Sequence, residues 1–78
     1  MASVTIHEEV STADIPAWRL CLQKVTYNYD DGSTEDGLRF IWRRPDDTLQ
    51  AARGQARIPD ASTLLTLVGK AAAEGWLL

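Results

Sequence analysis

Hydrophobic and polar residues alternate with a period of two along much of the chain, a pattern typical of β-strands with one buried face. The first such stretch is residues 3–10, in which Val4, Ile6 and Val10 fall on a common face. This alternation predicts a short strand at the edge of a sheet.

The second and third stretches flank a turn-forming segment. Residues 17–29 and 38–44 are rich in aromatic and β-branched side chains, and both alternate. Residues 30–37 between them supply Asp, Gly and Ser, which are the residue types that build turns. We therefore predict a β-hairpin over 17–44.

The alternation in the second stretch changes phase. One set of apolar residues shares one face and another set shares the other: Trp18, Leu20 and Leu22, then Val25, Tyr27 and Tyr29. Two explanations stay open. Either a β-bulge near Lys24 turns the strand over, or each face of the sheet is apolar at a different end.

A further hairpin is predicted after Arg44. Pro45 suits the first central position of a type I turn, and Asp47 tolerates the left-handed conformation that closes a three-residue loop. Such a loop pairs Arg44 with Thr48 and leads into another strand over 49–58.

The period becomes helical near the C-terminus. Pro59 ends the preceding strand, Asp60 is a suitable N-cap, and Gly75 is a suitable left-handed C-cap. The helix predicted over 61–74 carries an apolar stripe that would lie on the sheet: Ala61, Leu64, Leu65, Val68, Ala71 and Ala72.

These elements predict an α+β fold: a three- or four-stranded antiparallel β-meander with one C-terminal α-helix packed on one face. Because 78 residues are few for a second core, we treat 1–78 as a single domain. The expected core comprises Tyr27, Tyr29, Leu38, Phe40, Trp42, Leu64, Leu65, Val68 and Trp76.

Composition and the reactive residues argue against several classes of protein. No apolar run is long enough for a membrane helix and no signal-peptide pattern is present, so a soluble cytoplasmic protein is expected. We interpret the single histidine, His7, as a surface residue and the single cysteine, Cys21, as a buried thiol. The acidic loop 30–36 lacks the EF-hand spacing. No catalytic residue, cofactor or metal site is therefore predicted.

Arginines are concentrated in one part of a chain whose formal net charge is −3: residues 37–57 contain five arginines against two aspartates. The predicted register projects four of them from the sheet face opposite the helix: Arg39, Arg43, Arg53 and Arg57. Such a face could receive the phosphate or carboxylate groups of an anionic ligand or a partner protein. Cross-strand ion pairing on a solvated sheet is the alternative interpretation.

A nucleic-acid-contacting sheet is the alternative function. Three antiparallel strands and a helix are similar, in topology only, to DNA-binding domains that lay a sheet in the major groove. The pI of about 4.9 argues against this function, because phosphate neutralisation supplies most of the affinity for nucleic acid.

Self-association is the interaction that the pattern favours. Without a bulge in the second strand, an apolar cluster would lie on the face that a single helix leaves uncovered: Trp18, Leu20, Leu22, Ile41 and Leu49. Exposed clusters of this kind mark interfaces, and a small core gains from burying more apolar surface. We predict a non-catalytic binding module that forms a homodimer through this face.

Several short segments between residues 25 and 76 are similar to segments of a known protein family. The YNYDDG turn, the FIWRRPD hairpin, the ARGQARIP strand and the terminal EGW resemble a family of short uncharacterised bacterial proteins of unknown function. The resemblance implies no catalytic or binding residue.

Overall fold

The computed structural model describes residues 2–13, 17–50 and 56–76. They form strands β1 (Ser3–Ser11), β2 (Arg19–Asn28) and β3 (Thr34–Arg43), followed by helix α1 (Ala61–Ala73). The strands build one antiparallel sheet in the order β1-β2-β3. The predicted α+β fold with a C-terminal helix is therefore confirmed.

The loop between β2 and β3 is shorter than predicted. The Tyr29 amide donates to the Ser33 carbonyl at 2.9 Å, and Gly32 supplies the left-handed residue with φ 85°. Because the turn closes within these residues, β3 begins at Thr34 rather than near Leu38.

The second turn follows the prediction closely. The Arg44 amide donates to the Thr48 carbonyl at 2.8 Å, and Asp47 adopts the left-handed conformation with φ 74°. The strand predicted over 49–58 is wrong in its described part, where Leu49 forms only an isolated bridge with Arg43 and residues 56–60 belong to no strand. Residues 51–55, which include Arg53, lie outside the described residues.

β2 and β3 pair without interruption from Arg19 opposite Arg43 to Asn28 opposite Thr34. No bulge therefore interrupts β2. The explanation in which each sheet face is apolar at a different end is the one confirmed. In this register Leu20 lies opposite Trp42 and shares its face.

The bulge lies in β1 instead, between Ile6 and Glu8, so that His7 is the extra residue. It reverses which side chains face the helix. Val10 lies opposite Leu22 and packs on the helix side, whereas Val4 and Ile6 face away, so the prediction of a common face for these three valine and isoleucine residues is wrong.

The core lies between α1 and one face of the sheet, here called the helix face. Its buried residues are Leu20, Leu22, Leu67 and Ala71, with Val10, Phe40, Trp42, Ala56 and Trp76 packed around them. Phe40, Trp42 and Trp76 were predicted for the core, whereas the other predicted aromatics, Tyr27 and Tyr29, are not among these residues.

The ends of α1 are capped as predicted. The Asp60 side chain accepts a hydrogen bond from the Thr63 amide at 2.7 Å. At the other end Gly75 is left-handed with φ 82°, and the Trp76 amide donates to the Ala71 carbonyl at 3.1 Å. This second bond is the hallmark of a Schellman motif.

The predicted stripe on α1 is rotated in the structure. Leu67 is fully buried, whereas Leu65 is 67% exposed. Lys70 donates from Nζ to the Ser11 carbonyl at 2.7 Å and so ties the inner face of the helix to the end of β1. Leu38 and Tyr29 are also exposed, because they lie towards the end of the sheet away from Leu20.

Within residues 2–13, 17–50 and 56–76, no helix has both the length and the apolar character needed to cross a membrane.

Candidate interaction surface

The sheet face opposite α1, here called the opposite face, carries the charged residues that the sequence singles out. No described helix or strand lies across it. Strand alternation and the pairing of β1, β2 and β3 arrange its side chains in cross-strand rows. Three successive rows are Glu9, Gln23 and Arg39; then Ile6, Val25 and Gly37; then Val4, Tyr27 and Glu35.

The first of these rows forms a continuous polar network with Arg43. Arg39 Nε donates to Gln23 Oε1 at 2.7 Å, and Gln23 Nε2 donates to Glu9 Oε1 at 2.6 Å. Glu9 also accepts from Arg43 Nη2 at 2.6 Å and from Arg43 Nε at 3.1 Å. Gln23 is fully buried even though no described element covers it, because the side chains of Glu9 and Arg39 lie on either side of it.

The network stabilises the ionised form of Glu9. Partial burial raises the pKa of this carboxyl, but the hydrogen bonds from Arg43 and Gln23 and the charge of Arg43 lower it, and the net pKa lies below 4.5. Arg43 and Glu9 are only 19% and 23% exposed, so solvent screens the pair less than it screens a surface ion pair.

Cys21 lies beneath this ion pair. Its cross-strand row, shared with Ser11 and Ile41, lies between the row of Arg43 and the row of Glu9. The Arg43–Glu9 contact therefore runs diagonally across Cys21. The thiol is fully buried, and burial together with the negative charge of Glu9 raises its pKa to about 11. It is therefore protonated at neutral pH and is a poor nucleophile.

An apolar patch adjoins the polar network and consists of Val4, Ile6, Val25 and Tyr27. Val25 is buried, whereas Val4 and Ile6 at the edge are 36% and 40% exposed. The Tyr27 ring lies over Gly37: a Cβ atom at Gly37 would meet Tyr27 Cε2 at 3.2 Å. The glycine therefore makes room for the ring on β3.

The structure separates the predicted arginine set. Arg39 and Arg43 lie on the opposite face, as the alternation of β3 requires, but Arg43 is neutralised by Glu9. Arg57 lies outside the sheet, and its carbonyl accepts a hydrogen bond from Trp42 Nε1 on the helix face at 2.8 Å. Arg53 lies outside the described residues. Of the four expected arginines, the described residues place Arg39 and a paired Arg43 on the opposite face.

The predicted dimer cluster is also separated. Leu20 and Leu22 are buried under α1, and Ile41 is buried on the opposite face. Trp18 is 53% exposed just before β2, and Leu49 is half-buried at the bridge with Arg43. These residues share no common surface. Leu20 pairs with Trp42 and Cys21 pairs with Ile41, so Leu20 and Leu22 share the helix face with Trp42, whereas Ile41 lies on the opposite face with Cys21.

His7 belongs to a hydrogen-bonded chain on the helix face. The Thr26 hydroxyl donates to Asp36 Oδ1 at 2.7 Å and therefore accepts from His7 Nε2, also at 2.7 Å. An open cavity of about 570 Å³ adjoins them and is also lined by Lys24 and Leu38. Because its proton points to Asp36, the Thr26 hydroxyl is not activated by His7 as a nucleophile.

Sequence reasoning missed Glu9, Gln23 and the apolar patch as parts of one surface. The bulge at His7 places Glu9 on the face of Arg43, and simple alternation from Val4 puts it on the other face. A histidine and two glutamates interrupting the apolar pattern were the only signal of this change.

In the part of the chain that the structure describes, no group of three or more His, Cys, Asp or Glu side chains could hold a metal ion. No family model, curated protein or solved structure matches this chain. The resemblance to short bacterial proteins therefore stays a prediction.

Proposed function

We propose that this chain is a non-catalytic protein-interaction module that associates with itself through the opposite face of the sheet. The observation that carries the proposal is the apolar patch, in which Val4 and Ile6 are more than a third exposed beside Val25 and Tyr27. A small domain gains stability by burying such a surface in a second copy, and two-fold dimers are the commonest solution.

A non-catalytic role is supported by the state of the reactive groups. Cys21 is buried beneath the Arg43–Glu9 pair with a pKa of about 11, and His7 donates to a threonine whose proton is directed to Asp36. Neither arrangement provides an activated nucleophile at neutral pH.

Sedimentation equilibrium across the micromolar range tests the proposal. We expect the chain to form a dimer and Ile6→Lys to shift it towards monomer, because a lysine would bring a charge into the apolar patch. Leu65→Lys is the matched control, since Leu65 is 67% exposed on the outer side of α1 and should leave the dimer intact. A wild-type chain that stays at 8.6 kDa throughout would rule the proposal out.

Nucleic-acid contact is the competing function, and the ion pairs on the opposite face weigh against it. Arg43 is paired with Glu9 and Arg19 with Asp47, so that among the described arginines of this face only Arg39 lacks an ion pair with which a phosphate group would compete. A fluorescence titration with random duplex at low salt should show only weak binding. Micromolar binding that falls steeply with salt and is lost in Arg39→Glu would favour this competing function instead.

A further inference from the structure

The part of β3 that borders the apolar patch is self-complementary in charge. Glu35 and Arg39 lie two residues before and two residues after Gly37, so all three positions belong to the opposite face. Glu35 is exposed. Arg39 uses Nε to bind Gln23, and among the described residues neither Glu35 nor the Nη groups of Arg39 form an ion pair.

This spacing suits a two-fold axis that runs across the strands beside Gly37. Such an axis lays the opposite faces of two copies on each other with β3 over β3 and reverses the direction of the second strand. The row of Arg39 then faces the row of Glu35 in the other copy, and the same contact recurs on the other side of the axis.

Resting on the proposed self-association, we infer that the dimer has this register, in which Arg39 of each copy pairs with Glu35 of the other. The apolar row of Ile6 and Val25 then meets its own copy at the axis, together with the Tyr27 rings that lie over Gly37. The two ion pairs flank this apolar centre, which is the usual arrangement of a specific interface.

A second register is geometrically possible, with the axis parallel to the strands. It would place Arg39 opposite Glu9 of the other copy. Glu9, however, already accepts hydrogen bonds from both Arg43 and Gln23, so its carboxylate is occupied. Glu35 has no such partner among the described residues, and the register that pairs it with Arg39 is therefore favoured.

Charge reversal with subunit mixing tests the register. In a homodimer of Glu35→Arg, or of Arg39→Glu, both contacts bring like charges together, and we expect the dissociation constant to rise about tenfold or more. In a mixture of the two variants each contact again joins opposite charges, so the heterodimer should form with nearly wild-type affinity. Sedimentation with one variant fluorescently labelled measures both quantities.

Two controls separate folding and net charge from pairing. Glu35 is exposed, so Glu35→Arg should keep the wild-type circular dichroism spectrum even if Arg39→Glu loses stability with its bond to Gln23. Glu8→Arg makes the same change in net charge on the helix face and should not weaken the dimer.

The outcomes are distinguishable. Rescue by mixing supports the register, because only a reciprocal contact between copies can be repaired in this way. If the wild type dimerises and Ile6→Lys dissociates it, but neither charge reversal has an effect, the register is wrong and the proposed function stands. If the wild type is monomeric, both fail.

Discussion

The two faces of β2 bury neighbouring residues by different means. Leu20 and Leu22 are covered by α1 and pack against Leu67, so their burial depends on apolar contact. Cys21 and Gln23 alternate with them along β2, lie on the other face and are equally buried, but by the side chains of Glu9, Arg39 and Arg43. A three-stranded sheet with a single helix can thus shield its second face by hydrogen-bonded charge.

The two kinds of cover respond differently to change. Truncation of a packed apolar side chain lowers the free energy of unfolding in proportion to the volume removed. In a hydrogen-bonded ion pair, the largest loss of stability comes from removing one partner and leaving the other unpaired. The following experiments separate the two faces on this basis, and all unfolding measurements are compared at one protein concentration, because self-association would add to apparent stability.

The largest effect is expected on the helix face. Leu67→Ala should lower the free energy of unfolding by about 3 kcal/mol, because Leu67 is fully buried against Leu20 and Leu22 and its truncation leaves a cavity. Urea denaturation measures the change. Leu65→Ala removes the same atoms from a side chain that is 67% exposed and should cost far less; equal losses would mean that the helix packs through its other side.

On the opposite face, Glu9→Gln should lower the free energy of unfolding by about 2 kcal/mol. The substitution keeps the shape of the side chain, but it leaves the partly buried Arg43 guanidinium with only the exposed Asp47 carboxylate, 3.9 Å away, as a counter-charge. Removal of the charge also lowers the Cys21 pKa, since Glu9 is one of the causes that raise it. The thiol should therefore react faster with an alkylating agent.

Glu8→Gln is the control for that experiment. Glu8 is 47% exposed and lies 3.8 Å from Lys24, so this ion pair should contribute less than about 1 kcal/mol. Unchanged thiol reactivity in Glu9→Gln would contradict the inference that the charge of Glu9 raises the pKa of Cys21.

A smaller change of opposite sign is expected on the outer side of α1. A Cβ atom at Gly69 would have no neighbour within 4 Å, and the residue is exposed in the middle of the helix. Gly69→Ala should therefore raise the free energy of unfolding by about 0.5–1 kcal/mol through helix propensity. A thermal melt with no increase would indicate that this side of the helix is covered.

The remaining prediction concerns the pH dependence of the polar network, which has the same origin as the effect of Glu9→Gln. The folded-state pKa of Glu9 lies below 4.5, so its contribution to stability is present above that pH and is lost as the pH falls through the folded value. Unfolding of the wild type and of Glu9→Gln should differ most near neutral pH and converge in acid. The lowered pKa values of Asp31, Asp46 and Asp60 affect both proteins alike and cancel in the difference.

Features that depend on a few adjacent residues could be predicted from the sequence. The left-handed Asp47, the N-cap at Asp60 and the left-handed Gly75 all follow from local backbone chemistry, and each is where it was predicted. The hairpin from β2 to β3 follows from its turn residues in the same way. The fold class is the sum of these local preferences, and for that reason it was predicted correctly.

Faces and partners were decided only by the tertiary structure. Apolar residues lie around so much of the helix that periodicity does not determine which side packs on the sheet: Leu64, Leu65, Leu67 and Val68. In the structure Leu67 is the one buried with Leu20. The bulge at His7 shifts β1 by one residue, which exchanges its faces. The short loop before Thr34 sets the pairing of β2 with β3 and therefore which residues of the two strands share a face. The meeting of Glu9 with Arg43, 34 positions apart, depends on both strands, because a period of two carries no information about register between distant segments.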